Sequence, residues 1–227
     1  MQENKELIKK AIVFIDGNNW YHNSKQVVDT KKIDFIKLVN FISNHFKFEL
    51  IQVRYYNSIP DISENALKYH QHMGFLQDLE KQGIKVFTRK LQKTSTKEIL
   101  KEKSHLIESL ELCDICKPFV KQNCLDCIGI VSKKEKGIDV KIAVDMIRKC
   151  LIENECDICL LISGDADFIP AIQTIKDAKK EALTSSVFVG YSRELRDGRF
   201  RYFYLTRVIL NKFCMKSYKD IKQEKKE

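Results

Sequence analysis

Ala11-Ile-Val-Phe-Ile15, followed at once by Asp16-Gly-Asn-Asn19, is the stretch on which the fold turns. Five consecutive apolar residues with no alternation predict a strand covered on both faces, as in a parallel sheet flanked by helices. Leu50 to Tyr56, Ile84 to Phe87, Ile158 to Ile162 and Val187 to Val189 repeat the signal. Helical periods lie between them at Ile33 to Phe46, Glu64 to Gln82, Val140 to Ile152 and Phe168 to Lys180. Strand alternating with helix predicts the α/β class, with a doubly wound, mainly parallel sheet. In such a sheet ligands gather beyond the carboxyl ends of the strands, near the point where strand order reverses. Asp16 stands at one such end and Asp165 and Asp167 at another.

Composition bounds the rest. The chain has 227 residues and 44% hydrophobic content, enough for one cored domain carrying a small appendage. No run is long enough to span a membrane, and no signal-peptide pattern follows the polar start, so the expected location is the cytoplasm. With 40 basic and 31 acidic residues the net charge is +9, which favours an anionic partner. Part of the excess lies in Lys216 to Glu227 and around Lys97 to Lys103, but its distribution tells more: Arg193, Arg196, Arg199, Arg201 and Arg207 alternate with Tyr191, Phe200, Tyr202, Phe203 and Tyr204. Guanidinium groups beside aromatic rings can hold a single-stranded backbone and stack on its bases. The same pattern also describes a late strand with one face in the core and arginines on the other.

The segment from about Lys90 to Lys136 breaks the alternation and reads as an insertion. It carries Cys113-x-x-Cys116 and, after seven residues, Cys124-x-x-Cys127. In a reducing compartment such thiols are expected as zinc ligands rather than disulfides, two turns completing one four-thiolate Zn²⁺ shell. A closed shell leaves no position for water, so the expected role is structural. Cys150, Cys156, Cys159 and Cys214 sit in apolar surroundings and are expected to pack.

Four acidic stretches carry the chemistry: Asp16-Gly-Asn-Asn19, Gly137-Ile-Asp139, Ala-Val-Asp145 and Ser163-Gly-Asp165-Ala-Asp167. Two carboxylates about 4 Å apart repel by roughly 4 kcal/mol at an effective dielectric near 20, so a cluster of them calls for a cation. Mg²⁺ or Mn²⁺ takes one or two carboxylates, waters and substrate phosphate. Each aspartate also has a plain structural role open to it: a turn with Gly17, a helix cap at Asp139, a turn at Asp165. Asp139 and Asp145, six apart, can face one cleft only if Asp139 lies at or before the cap. Other α/β phosphate chemistries fit poorly: Asp16-Gly-Asn18 is not the Asp-x-Asp of a phosphoaspartyl enzyme, and neither a phosphate-cradling Gly-rich loop nor a Gly-x-Ser-x-Gly elbow is present.

Phe14-Ile-Asp-Gly-Asn-Asn19 with Tyr21, Lys136-Gly-Ile-Asp139-Val-Lys-Ile-Ala-Val-Asp145-Met and Leu161-Ile-Ser-Gly-Asp-Ala-Asp-Phe-Ile-Pro170, in that order, resemble the NYN domain family, a PIN-like, Rossmannoid nuclease fold. The resemblance runs from about residue 10 to about residue 205 and leaves the cysteine-rich insertion aside. It implies an endoribonuclease that uses Mg²⁺ or Mn²⁺, with Asp16, Asp139, Asp165 and Asp167 holding the metal and Asp145 as a further catalytic candidate. Asn19 and Ser163 would orient ligands or the attacking water, and Lys136 would meet a phosphate. Single-stranded RNA is the implied partner and a homodimer the implied assembly. Ala166 stands where the family usually has a small hydroxyl residue. The alternative is a module that grips RNA through its arginines without cutting it, using the zinc insertion to recruit partners.

Overall fold

A computed structural model describes residues 8–63, 65–90, 92–93, 96–124, 133–134, 137–198 and 200–214. The chain divides into two compact units, residues 90–136 and the remainder.

The larger unit begins with strand β1 (Lys10–Asp16), in which Ala11 to Ile15 are all fully buried. Helix α1 (Gly17–Ser24) starts immediately because Asp16 turns extended and its side chain accepts the Asn19 backbone N–H. Helix α2 (Phe35–Phe46), capped by Asp34, strand β2 (Glu49–Ile59), helix α3 (Ala66–Lys81), capped by Asn65, and strand β3 (Lys85–Lys90) follow. Each cap satisfies an N–H that the first turn leaves unpaired, worth about 1 kcal/mol.

The smaller unit holds strand β4 (Gln92–Lys93), helices α4 (Thr96–Ser109) and α5 (Cys116–Cys124), and strand β5 (Lys133–Lys134), which pairs antiparallel with β4.

The larger unit resumes with α6 (Ile138–Ile147), continued by a π-helical turn, Arg148–Ile152. Strand β6 (Ile158–Ile162), helix α7 (Ile169–Asp177), strand β7 (Glu181–Val187), helix α8 (Arg193–Asp197), strand β8 (Arg201–Leu205) and helix α9 (Arg207–Lys212) complete it.

The six long strands form one sheet in the order β3-β2-β1-β6-β7-β8. β1 pairs parallel with both β2 and β6, β6 with β7, and β7 with β8. The chain works outward from β1 to one side, then crosses to β6 and works outward to the other. The gap between the ends of β1 and β6 is therefore the switch point. Odd residues of β1 pack with α2 and α3 in one core, and Ile12 and Phe14 pack with α6 and α7 in the other.

The expected strand at Val187 to Val189 is displaced. β7 runs Glu181–Val187 and residues 188–190 form a 3₁₀ turn. Buried Thr184, Ser185 and Ser186 hid the strand from an apolar reading; Ser185 donates to the Phe203 carbonyl and Thr184 bonds the Tyr191 hydroxyl. Helix α1 was also unannounced, since Gly-Asn-Asn is a poor helix opening and the Asp16 cap supplies the start.

Candidate active site

Asp16 ends β1 and is 3% exposed. Its Oδ1 accepts the Asn19 N–H at 3.0 Å and its Oδ2 accepts the Ser163 hydroxyl at 3.0 Å. Ser163, directly after β6, also accepts the Asp165 N–H at 3.2 Å, and Asp165 Oδ1 accepts the Asp167 N–H at 3.0 Å. Asp16, Ser163 and Asp165, 149 positions from end to end, are thus joined across the switch point by consecutive hydrogen bonds.

Asn19 locks the same edge. Its Oδ1 accepts the Gly164 N–H at 2.9 Å and the Asn23 amide at 2.9 Å, and Asn23 reaches the Gly190 carbonyl at 3.4 Å. Gly164 is required here: a Cβ on it would lie 1.8 Å from the Gly190 carbonyl oxygen. Gly17 is as constrained, its Cβ position being 2.6 Å from the Tyr55 ring and from the Tyr56 carbonyl. Burial drives the Tyr55 hydroxyl pKa up, and the Asp16 charge raises it further. Asp16 therefore faces a neutral phenol.

Asp139 is the second residue of α6 and Gly137 is its cap, in the left-handed region at φ 82°. Because α6 leads through its π turn into β6, it runs against the strands, and its first turn lies toward their carboxyl edge. Asp165 and Asp139 are partly exposed and Asp167 is exposed.

Asp145 takes another course. Its Oδ2 accepts from Arg54 at 2.9 Å and from the Tyr56 hydroxyl at 2.8 Å, while Lys141 Nζ lies 2.9 and 3.0 Å from its two oxygens. With Asp139 already inside the helix, six further residues turn Asp145 about 240° away at 100° per residue, so the two do not share a face. Burial pushes the Asp145 carboxyl upward, but the bonds from Lys141, Tyr56 and Arg54 outweigh it and hold it below the usual range. Asp145 is thereby a strut between α6 and β2.

The arginines separate. Arg193 and Arg196 lie on α8, beyond the carboxyl end of β7, and Ser192 N–H bonds the Gly164 carbonyl at 2.9 Å. Arg201 instead opens β8 and pairs at 3.2 Å with Glu181, the first residue of β7, at the opposite edge of the sheet. Arg199 and Lys136 lie outside the described residues. Trp20 is buried, edge-on to Phe35 at 5.2 Å.

Among the described residues no three acidic, histidine or cysteine side chains gather as a ready-made metal cage. The oxygen donors at the switch point nonetheless fit a hard divalent cation, which needs only one or two carboxylates and fills its shell with water and phosphate. Cys113 and Cys116 are close, the Cys116 N–H lying 3.4 Å from Cys113 Sγ, and that backbone bond helps lower the Cys113 thiol pKa. Cys124, however, closes the helix that Cys116 opens. Eight helical steps separate their Cα atoms by about 12 Å, whereas two cysteines on one zinc allow about 9 Å at most between Cα atoms. The Cys124 side chain and Cys127, on which the expected four-thiolate site depends, lie outside the described residues.

A family model described as the NYN domain matches residues 10–205. The chain belongs to the NYN domain family. NYN domains share the PIN-like nuclease fold, are generally ribonucleases and typically use divalent metals. No curated protein matches this NYN domain. A crystal structure of a protein of unknown function from Vibrio parahaemolyticus RIMD 2210633 resembles it with a TM-score of 0.52 and 17% identity, covering 90% of this chain and 96% of that one. At that identity the likeness concerns the fold. Among the described residues no helix is long and apolar enough to cross a membrane.

Proposed function

We propose that this NYN domain is a Mg²⁺- or Mn²⁺-dependent endoribonuclease acting on single-stranded RNA in the cytoplasm, a compartment its many reduced thiols suit. The supporting observation is the hydrogen-bonded run Asp16–Ser163–Asp165 across the switch point. Asp16 and Asp165 would hold the cation, with Asp139 and Asp167 contributing directly or through water. A cation so held lowers the pKa of bound water and offsets charge on the phosphoryl group.

The chain's own groups prepare that chemistry. Ser163 and the Asn19 N–H each engage one oxygen of Asp16, which fixes its rotamer. Asn19 holds the Gly164 backbone, so the loop bearing Asp165 cannot drift from α1. Arg193 and Arg196 offer cationic donors for flanking phosphates. No Ser, Cys or His is required as a nucleophile, and by resemblance the products carry a 5′-phosphate and a 3′-hydroxyl.

Purified protein with Mn²⁺ should cut single-stranded RNA, chelation should stop it, and Asp165→Asn should abolish turnover without unfolding the chain. Retarded RNA with no metal-dependent product would instead establish the binding-only alternative.

A further inference from the structure

Beyond Val187 the chain leaves β7 in a 3₁₀ turn that turns Phe188 and Val189 outward, 58% and 66% exposed. A single exposed Phe is ordinary, but this one is surrounded by recognition chemistry. The Arg196 guanidinium lies 5.7 Å from its ring centroid. Tyr204 meets it edge to face at 5.5 Å, and Tyr202, 44% exposed, lies 4.5 Å from Tyr204. Buried Tyr191, bonded to Thr184, backs Tyr204 at 5.5 Å. The rings are therefore fixed before any ligand arrives, which spares the ordering cost of binding.

Position gives the patch its meaning. Gly190, two residues from Phe188, packs on Gly164 and accepts from Asn23, so the turn is part of the same edge as Asp16 and Asp165. We propose that Phe188, with Arg196, is a stacking platform for an unpaired RNA base flanking the scissile phosphate. This rests on the ribonuclease reading and deepens it. An aromatic face accepts any base, and the neighbouring cation draws the phosphate beside it. A base within a duplex has both faces covered, so the platform selects single strands.

The test measures fluorescence anisotropy of a labelled mixed-sequence oligoribonucleotide, alone and annealed to its complement, with Mn²⁺ and Asp165→Asn protein so that the strand survives. Adding Phe188→Ala should weaken single-strand binding about tenfold, the effect of one lost stack. Duplex binding and the melting temperature should not change, and Phe188→Trp should restore affinity. Unchanged single-strand affinity, or equal losses for strand and duplex, would overturn the platform. So would a fall in sedimenting mass with Phe188→Ala, which would make the patch a self-association surface. If wild-type protein fails to cut RNA yet Phe188→Ala still loses single-strand affinity, the enzyme reading fails and the platform stands. Cleavage with unaltered affinity gives the reverse.

Discussion

Asp16 combines structural and chemical roles that substitution can separate. As a cap it accepts the Asn19 N–H, and as a buried acceptor it satisfies the Ser163 hydroxyl. As an anion it would hold the catalytic cation. Asp16→Ala removes all three: the cap is worth about 1 kcal/mol, and the stranded Ser163 hydroxyl costs a further ~1–3 kcal/mol. At about 2–4 °C per kcal/mol for a domain this size, the loss should lower the melting temperature by roughly 5–15 °C. Asp16→Asn keeps an oxygen for the Asn19 N–H, and its amide can donate to Ser163 in place of accepting, so stability should stay within about 1 kcal/mol. Loss of the charge should still slow cleavage by ~10³ or more, equivalent to about 4 kcal/mol of lost transition-state stabilisation. Calorimetry paired with metal-dependent cleavage of labelled RNA reads both. If Asp16→Asn cut RNA at near the wild-type rate, or melted as low as Asp16→Ala, the division between cap and charge would be wrong.

Arg54→Met should destabilise by about 3–5 kcal/mol, because Asp145 then keeps a buried charge short of a partner; urea unfolding measures this, and a loss under about 1 kcal/mol would mean that Lys141 and Tyr56 suffice. The depressed Asp145 pKa makes a pH statement: its contribution is fully present above the ordinary carboxylate value near ~4 and is lost as pH falls through the lower folded value. Melts from near-neutral to acid pH should therefore fall less steeply below that value for Asp145→Asn than for wild type; parallel acid limbs would exclude the linkage. A four-thiolate zinc shell demands that the end of α5 unwind, so titrating Zn²⁺ into metal-free protein should reduce the far-ultraviolet helix signal while about one ion binds per chain. Binding with α5 unchanged would refute that geometry, and no binding would dismiss the shell itself.

What could be read from the chain follows burial. Ala11 to Ile15 and Ile158 to Ile162 are continuous apolar runs because helices cover both faces, and the carboxylates that end them were legible as edge residues. Three features were not. Arg54 lies between Val53 and Tyr55 and is 5% exposed, so a buried counter-charge was required; that was the available signal for Asp145, but no local pattern names a partner 91 positions away. Phe188 read as strand because the true strand is disguised by buried hydroxyls, whose partners come from distant residues. Arg201 read as part of a cationic stretch, yet direction along a parallel strand decides which edge it serves, and composition carries no direction.

Gly137 approaches Arg89 so closely that a Cβ would lie 2.3 Å from the guanidinium. The larger unit breaks off at Arg89 and resumes at Gly137, and within the smaller unit β4 pairs with β5. A graft attached in this manner can be lengthened, exchanged or trimmed without disturbing the order of the sheet. Asp139 stands two residues past Gly137, so a side chain added at Gly137 would strain the turn that begins the helix bearing that carboxylate.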